Sequence, residues 1–196
     1  TLSGGAVKCW GSNSAGQLGD GTMTQSNAPV AVQTITNATA TVAGLDQTCA
    51  LLADHSVKCW GDGGNGSLGN GSTSGSLTPI AVTGLADAVA IGGGASHTCV
   101  IRVDTTAACW GYNANGQLGD GTTTDRLVTT AVAGLTGVSS IDGGTGSTCA
   151  SLSDGTASCW GSNSSGQLGD GSGSFATSLV PRTVPGITSA TAAATG

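Results

Sequence analysis

The chain has 196 residues, of which 35 are glycine, and only 8% are charged and 3% are aromatic. Its formal net charge of -6 argues against nucleic acid or anionic membrane surfaces as partners, because both require clusters of Lys and Arg. A hydrophobic fraction of 38% argues against disorder, and no apolar stretch is long enough for a membrane-spanning helix, so we expect no membrane insertion.

One unit recurs four times along the chain, at an interval of 50 residues. Its markers are a cysteine followed by a tryptophan: Cys9-Trp10, Cys59-Trp60, Cys109-Trp110 and Cys159-Trp160. A period of this length is typical of arrays in which each unit buries its core against its neighbours. We divide the chain into repeats at approximately 1–36 (partial), 37–86, 87–136, 137–188 and 189–196 (partial), which together form a single propeller segment, 1–196.

The second repeat shows the predicted elements in order. Short β-prone stretches at 37–42, 48–52, 56–60 and 79–82 are separated by Gly, Asp and Asn, and Glu is absent from the chain. Four short strands with turns between them fit one blade of a β-propeller, so we predict an all-β fold. The dipeptide Asp54-His55 predicts a three-residue hairpin loop whose last residue has a positive φ, and Asp104-Thr105 and Asp154-Gly155 are its equivalents.

The segment after each tryptophan follows the frame WG-x-N-x-x-GQLGDG, which is clearest at 110–121 and 160–171. This frame resembles the repeat of the regulator of chromosome condensation family, and the stretch 96–101 (SHTCVI) is similar to the family's His-Thr-x-x-Leu strand. The resemblance implies a β-propeller, seven-bladed in the best-known members. On this basis we expect each Trp to pack between blades with its indole N–H bonded, and the frame's leucines to anchor the loop: Leu18, Leu68, Leu118 and Leu168.

Six of the seven cysteines lie ten residues apart in pairs centred on the predicted hairpin turns. Residues directly opposite in such a hairpin have Cβ atoms close enough for a disulfide. We therefore predict the disulfides Cys49–Cys59, Cys99–Cys109 and Cys149–Cys159. Buried free thiols and a zinc site are the alternatives, although the spacing and the two histidines do not match a usual zinc site. Cys9 is left unpaired, because its expected partner would precede Thr1.

The register also predicts that the chain begins and ends within a blade. We expect the sequence to be part of a larger array of about seven blades, and a closed four-bladed ring is the alternative. Three disulfides and few charges favour an oxidising compartment, so we expect an extracellular, cell-surface or periplasmic protein, a secreted, bacterial-like member of the family.

No combination of residues in the sequence predicts catalysis, and we expect the protein not to be an enzyme. His97 is predicted to be structural, bonding to a neighbouring loop. Asp20, Asp120 and Asp170 recur in the GDG segment, where an Asx turn is favoured over a calcium loop, so no cofactor is expected. Although the family's best-known activity is nucleotide exchange on a nuclear GTPase, this acidic chain has no insertion suited to that role.

The segments after GDG differ most among the copies, as ligand-binding loops on a fixed scaffold do. Within them Met23, Arg126 and Phe175 are candidate contacts, because aromatic residues, Met and Arg are enriched at interfaces. We predict a module that binds a protein or glycan partner through these loops. Two alternatives remain open: a self-associating structural repeat of a surface fibre or adhesin, and a noncatalytic domain of a larger secreted hydrolase.

Overall fold

The computed structural model describes residues 1–195 and contains fourteen strands in four antiparallel sheets. The first sheet pairs β1 (Lys8–Gly11) with β2 (Ser26–Ala31). The second contains β3 (Ala38–Ala43), β4 (Gln47–Leu52), β5 (Val57–Gly61) and β6 (Ser76–Ala81). The third contains β7 (Ala88–Gly93), β8 (His97–Arg102), β9 (Ala107–Gly111) and β10 (Arg126–Ala131), and the fourth contains β11 (Val138–Gly143), β12 (Ser147–Leu152), β13 (Ala157–Gly161) and β14 (Ser178–Thr183).

Within each complete sheet the strands pair in chain order, which is the arrangement of a propeller blade. The predicted all-β fold is therefore confirmed, and the described residues form a partial propeller of about four blades. Near its end the chain lies beside β11, where the amide of Ala193 donates to Ser140 Oγ (3.2 Å) and that of Thr195 to Asp142 Oδ2 (3.2 Å). Gly196, which completes the predicted last repeat, lies outside the described residues.

The outermost strand of the second blade is longer than predicted. It begins at Ser76 rather than Pro79, so the proline lies inside β6. The ladder between β5 and β6 is irregular between the pairs Gly61–Ser76 and Cys59–Ile80, and Pro79 falls in that interval. A missing N–H costs little at such a position, since proline is tolerated on edge strands and at bulges.

The hairpin turns have the backbone conformation that the sequence predicts. His55 and Thr105 each have a φ of 65°, and Gly155 has a φ of 85°. In the first of these turns Asp54 Oδ1 accepts hydrogen bonds from the amide (3.1 Å) and the hydroxyl (2.6 Å) of Ser56. These bonds hold the left-handed residue in place, and they let His55 and Thr105 adopt a conformation that favours glycine.

The core lies between the blades, where each sheet packs on the next. Cys59 of the second blade, for example, belongs to the same apolar cluster as Val100 and Trp110 of the third. Trp60, Trp110 and Trp160 are fully buried, and each donates its indole N–H to the loop of the preceding blade. The acceptors are the carbonyl oxygens of Gln17 (2.9 Å), Ser67 (3.1 Å) and Gln117 (2.9 Å).

The glycine two residues after each acceptor allows this approach. At Gly69, whose φ is +66°, an added Cβ would lie 2.8 Å from Trp110 Nε1, and at Gly119 it would lie 2.7 Å from Trp160 Nε1. Neither position can take a larger residue without displacing the indole. The leucine between acceptor and glycine is buried in all four copies, at Leu18, Leu68, Leu118 and Leu168.

Trp10 departs from the expectation that every tryptophan packs between blades. Its side chain is 64% exposed, whereas the three equivalent indoles are 0% exposed. The reason is that no loop of a preceding blade covers Trp10 in the described part of the chain. The repeat position by itself therefore does not bury the indole, because the neighbouring blade supplies both the contacts and the acceptor.

Three disulfides join the two central strands of the complete blades: Cys49–Cys59, Cys99–Cys109 and Cys149–Cys159. In each case the two cysteines are directly opposite in the ladder. Cys9 is a free, half-buried thiol. Burial raises the pKa of the Cys9 thiol, while the nearby amino terminus lowers it to a smaller extent, so the pKa lies above its ordinary value.

Candidate binding surface

The loop after each tryptophan is built around a buried asparagine. In the third blade Asn113 Oδ1 accepts the amide of Leu118 (3.0 Å). Its Nδ2 donates to the carbonyl oxygens of Thr122 (3.1 Å) and Thr124 (3.0 Å), which ties the two ends of the loop together. Asn13 and Asn163 are equally buried and make corresponding bonds. The sequence frame contains this Asn in three of four copies, but its spacing alone did not reveal the structural role.

The aspartate of the GDG segment forms the predicted Asx turn. Asp120 Oδ1 accepts the amide (2.9 Å) and hydroxyl (2.8 Å) of Thr122. Asp20 makes the same two bonds to Thr22, and Asp170 makes them to Ser172. The Ser172 hydroxyl and amide lower the pKa of Asp170 below its ordinary value. These carboxylates are thus engaged in holding the loop.

The second copy closes its loop in another way. Gly63 stands where the other copies have asparagine, and Asn70 stands where they have aspartate. The backbone of Ser74 fills the space, since a Cβ added to Gly63 would lie 2.1 Å from the Ser74 carbonyl oxygen. In the second copy, Gly63 and Asn70 therefore accompany a backbone path of the loop that differs from that of the other copies. The variation among these loops thus includes the backbone as well as the side chains.

Two of the three candidate contacts are exposed at equivalent loops of the first and fourth blades. Met23 is 60% exposed, and Phe175 is 66% exposed within the loop that is two residues longer than its equivalents. Arg126 lies at the start of β10 and binds Asp120 Oδ2 through Nε (2.7 Å) and a terminal nitrogen (2.6 Å). The two contacts with Asp120 hold the guanidinium in a fixed orientation. The Arg126 side chain is 36% exposed and therefore remains accessible at the loop surface.

His97 is fully buried between the third and fourth blades. Its Nε2 lies 2.9 Å from Thr148 Oγ1 of β12, so its partner is a strand residue rather than the loop predicted from the sequence. Burial lowers the pKa of His97 to about 4. The imidazole is neutral near pH 7, and this position inside the interface suits a structural role.

Three further observations concern metal ions, membrane-spanning helices and N-glycosylation. Residues 1–195 contain no group of three or more His, Cys, Asp or Glu side chains arranged to hold a metal ion. A helix with the length and hydrophobicity needed to cross a bilayer is not found in this part of the chain. Asn-x-Ser/Thr, the acceptor sequence of N-glycosylation, occurs at Asn37, Asn65, Asn70 and Asn163. The Asn163 side chain is buried and its amide is already bonded, while Asn37 and Asn65 are exposed.

Repeated blades, interblade tryptophans and glycine-rich loops define a β-propeller repeat protein. The family model of the regulator of chromosome condensation (RCC1) repeat matches residues 5–51, 54–101 and 154–196. A second model with the same description matches residues 138–167. The chain belongs to this repeat family. Among the curated proteins compared, none matches it in sequence.

Solved structures share the fold at low sequence identity. Yeast RCC1 (Prp20), in a crystal structure with Kap60, superposes with a TM-score of 0.82 at 19% identity over 92% of this chain. Human WBSCR16 gives 0.81 at 21% identity over 92%. Prp20p from Saccharomyces cerevisiae, in a structure whose description concerns its binding to Gsp1p and histones, gives 0.79 at 19% identity over 91%. The chain spans 44%, 48% and 46% of these structures, respectively.

Proposed function

We propose that this propeller is a noncatalytic binding module whose partner is a protein, contacted through the loops that follow the GDG segment. The observation that carries the proposal is that the residues of the repeated frame are buried, while residues of the variable loops are exposed. The tryptophan and leucine of the frame are buried in the three complete blades, and the asparagine is buried in the three copies that have it, whereas Met23 and Phe175 are exposed on the variable loops. Exposed apolar side chains on a rigid scaffold are typical of protein interfaces.

Protein binding by the related structures is consistent with this role, but their partners are not transferred, because likeness at about 20% identity concerns the fold. A glycan is the other ligand class that we considered. The exposed side chains of Met23 and Phe175 and the oriented Arg126 guanidinium, each on the variable loop of its own blade, favour a protein surface with an acidic and an apolar part.

We further propose that the module works in an oxidising compartment, outside the cell or in the periplasm. Three disulfides join strands that are already paired, and such bonds persist where thiols are not kept reduced. Production in an oxidising and in a reducing host should yield proteins that differ in unfolding temperature. Equal temperatures, with all cysteines reduced in both, would argue against this compartment.

Site-specific photo-crosslinking tests the binding surface. A photoreactive phenylalanine analogue is placed at position 175, and in a matched control at position 103, where Val103 is 63% exposed on a hairpin turn. Position 175 should give cross-links to a discrete partner protein, and position 103 should give none. Cross-links of equal yield from both positions would contradict the proposal. Filament formation without capture would favour the self-associating alternative.

A further inference from the structure

A buried side chain at the junction of the third and fourth blades has a hydrogen-bond donor without an acceptor. Gln117 is fully buried, and its Nε2 has no partner among the described residues. Its Oε1 accepts the amide of Asn115 (3.0 Å), which fixes the direction in which the side-chain amide is turned. An unpaired buried N–H is costly, so its presence in a folded protein indicates a group that binds there.

The junction of the first and second blades shows what the same donor binds. Gln17 is the counterpart of Gln117, and its Oε1 accepts the amide of Ala15 (2.9 Å) in the same way. Its Nε2 donates to Asp46 Oδ1 (2.9 Å). The counterpart of Asp46 is Gly146, which has no side chain. The first junction therefore supplies a carboxylate at a position where the other has none.

The backbone is arranged alike at the two junctions, so the comparison is direct. The carbonyl oxygens of Asp46 and Gly146 each accept an amide from the loop after the tryptophan, at 2.7 and 2.8 Å. The carbonyl oxygens of Gln17 and Gln117 each accept the hydroxyl of a threonine in the next blade, at 2.9 and 2.8 Å. Gln117 Nε2 therefore faces the place that a carboxylate on residue 146 would occupy.

The loop of the third blade also supplies a second donor. Asn115 stands where the first copy has Ala15. A Cβ added to Gly146 would lie 3.0 Å from Asn115 Nδ2 and 3.5 Å from Ser162 Cβ. Gly146, Asn115 and Ser162 are all partly exposed, so a ligand can approach from the surface. Two amide donors thus surround this position, where the first junction has one donor and a carboxylate.

We propose that this position binds a carboxylate from outside the chain, in the place that the Asp46 side chain takes at the first junction. The Gln117 amide donates one hydrogen bond from the buried side, and the Asn115 amide donates another from the rim. A carboxylate has two oxygens to accept both bonds, and bonds to an ionised acceptor are stronger than bonds to a neutral one. Two sources share this chemistry: a small free carboxylate, and an Asp or Glu side chain of a partner protein. The inference does not depend on the loop surface proposed above.

The side-chain amide resonances of the nitrogen-15-labelled chain report directly on the site. Sodium acetate is titrated at constant ionic strength, with sodium chloride as the salt control and acetamide as a neutral control of similar shape. The Gln117 and Asn115 amides should shift together with acetate and reach saturation. The Gln17 amide, which already binds Asp46, should not shift. Acetamide should bind at least about tenfold more weakly, because its acceptor is neutral.

Two variants test the assignment of the site. Gly146→Asp supplies the carboxylate from within the chain, so acetate should no longer shift the Gln117 amide. Asn115→Ala restores the residue of the first copy and should weaken acetate binding by at least about threefold in a chain that remains folded. Unchanged acetate binding by Gly146→Asp would overturn the proposal, since the ion would then bind elsewhere. A Gln117 amide that does not shift, or that shifts equally with acetate and acetamide, would overturn it as well.

A matched pair of peptides separates the two sources of the carboxylate. Acetyl-Gly-Asp-Gly-amide and acetyl-Gly-Asn-Gly-amide differ in the carboxylate alone. Tighter binding of the aspartyl peptide than of acetate would support an acidic side chain of a partner protein as the occupant. Acetate that binds at least as tightly as this peptide would support a small free carboxylate. Equal binding of the two peptides, or binding of neither the aspartyl peptide nor acetate, would contradict a carboxylate site.

Discussion

The indole hydrogen bond between blades can be tested by comparing tryptophans at the same repeat position. In Trp110→Phe the Ser67 carbonyl oxygen loses its only hydrogen bond among the described residues, at a site that is fully buried. An unsatisfied buried acceptor costs about 1–3 kcal/mol, and the space left by the smaller ring adds about 1–2 kcal/mol. We expect the free energy of unfolding to fall by about 2–5 kcal/mol.

Trp160→Phe and Trp10→Phe are the matched controls. The Gln117 carbonyl oxygen, which accepts from Trp160, also accepts from Thr148 Oγ1 at 2.8 Å, so it keeps a partner and the loss should be smaller. Trp10 is 64% exposed, and its substitution should change stability by less than about 0.5 kcal/mol. Urea unfolding followed by far-UV circular dichroism gives the three values. Equal losses at the three positions would refute the interblade role of the indole.

Three further predictions concern the loop, the pH dependence and the thiols. Gly63→Asn restores the residue of the other copies, yet it should destabilise the protein by at least about 1 kcal/mol, because the new side chain would collide with the Ser74 carbonyl oxygen. Asn70→Asp is the control and should be nearly neutral. A stabilised Gly63→Asn variant would show that this loop can adopt the path of the other copies. Burial lowers the pKa of His97 to about 4 in the folded protein, from the ordinary value of 6.5 that applies in the unfolded chain. Below pH 6.5 the unfolded chain therefore binds more protons than the folded protein. Stability should therefore fall by up to roughly 3 kcal/mol between pH 6.5 and 4, and His97→Gln should lack this part of the pH dependence in urea titrations; an unchanged profile would exclude the imidazole as its source. Thiol titration of the unfolded, unreduced protein should count only Cys9, and a count of seven thiols would contradict the disulfides.

The architecture could be predicted from the sequence because the same pattern of strands and turns occurs in four copies. The spacing of Cys49 and Cys59 about Asp54 placed them opposite each other, and the hairpin has that register. The same logic explains the positive φ of His55. Local turn chemistry and strand periodicity are sufficient for these features, since they depend on residues close in the chain.

Features that depend on contacts between blades were harder to predict. The burial of a tryptophan is decided by the preceding blade, so Trp10, which has no such blade among the described residues, is exposed although it occupies the same repeat position. The partner of His97 is a threonine 51 residues away. Asn113 belongs to the repeated frame, but nothing in the frame indicates that its side-chain hydrogen bonds connect residues from Leu118 to Thr124 across the loop. The periodicity of the sequence predicts the individual strands and turns. Contacts such as that of His97 with Thr148 form only when these strands and turns have assembled into neighbouring blades.

The candidate binding surface was located by the opposite reasoning, from the positions where the copies disagree. This reasoning found exposed side chains at Met23 and Phe175, and it found Arg126 in an ion pair with Asp120. It could not show which side chains face a partner, because exposure on a loop is common and carries no chemistry by itself.

The most direct test of the account compares affinity and stability in one loop variant. The partner captured by the cross-link at position 175 is titrated against the unmodified chain and against the triple variant Met23→Ala, Arg126→Ala and Phe175→Ala. We predict an affinity loss of at least about tenfold, corresponding to 1.4 kcal/mol or more, with the unfolding temperature changed by less than about 4 °C. Unchanged affinity in a variant that remains folded would contradict the claim that the variable loops bind and the repeated frame supports them.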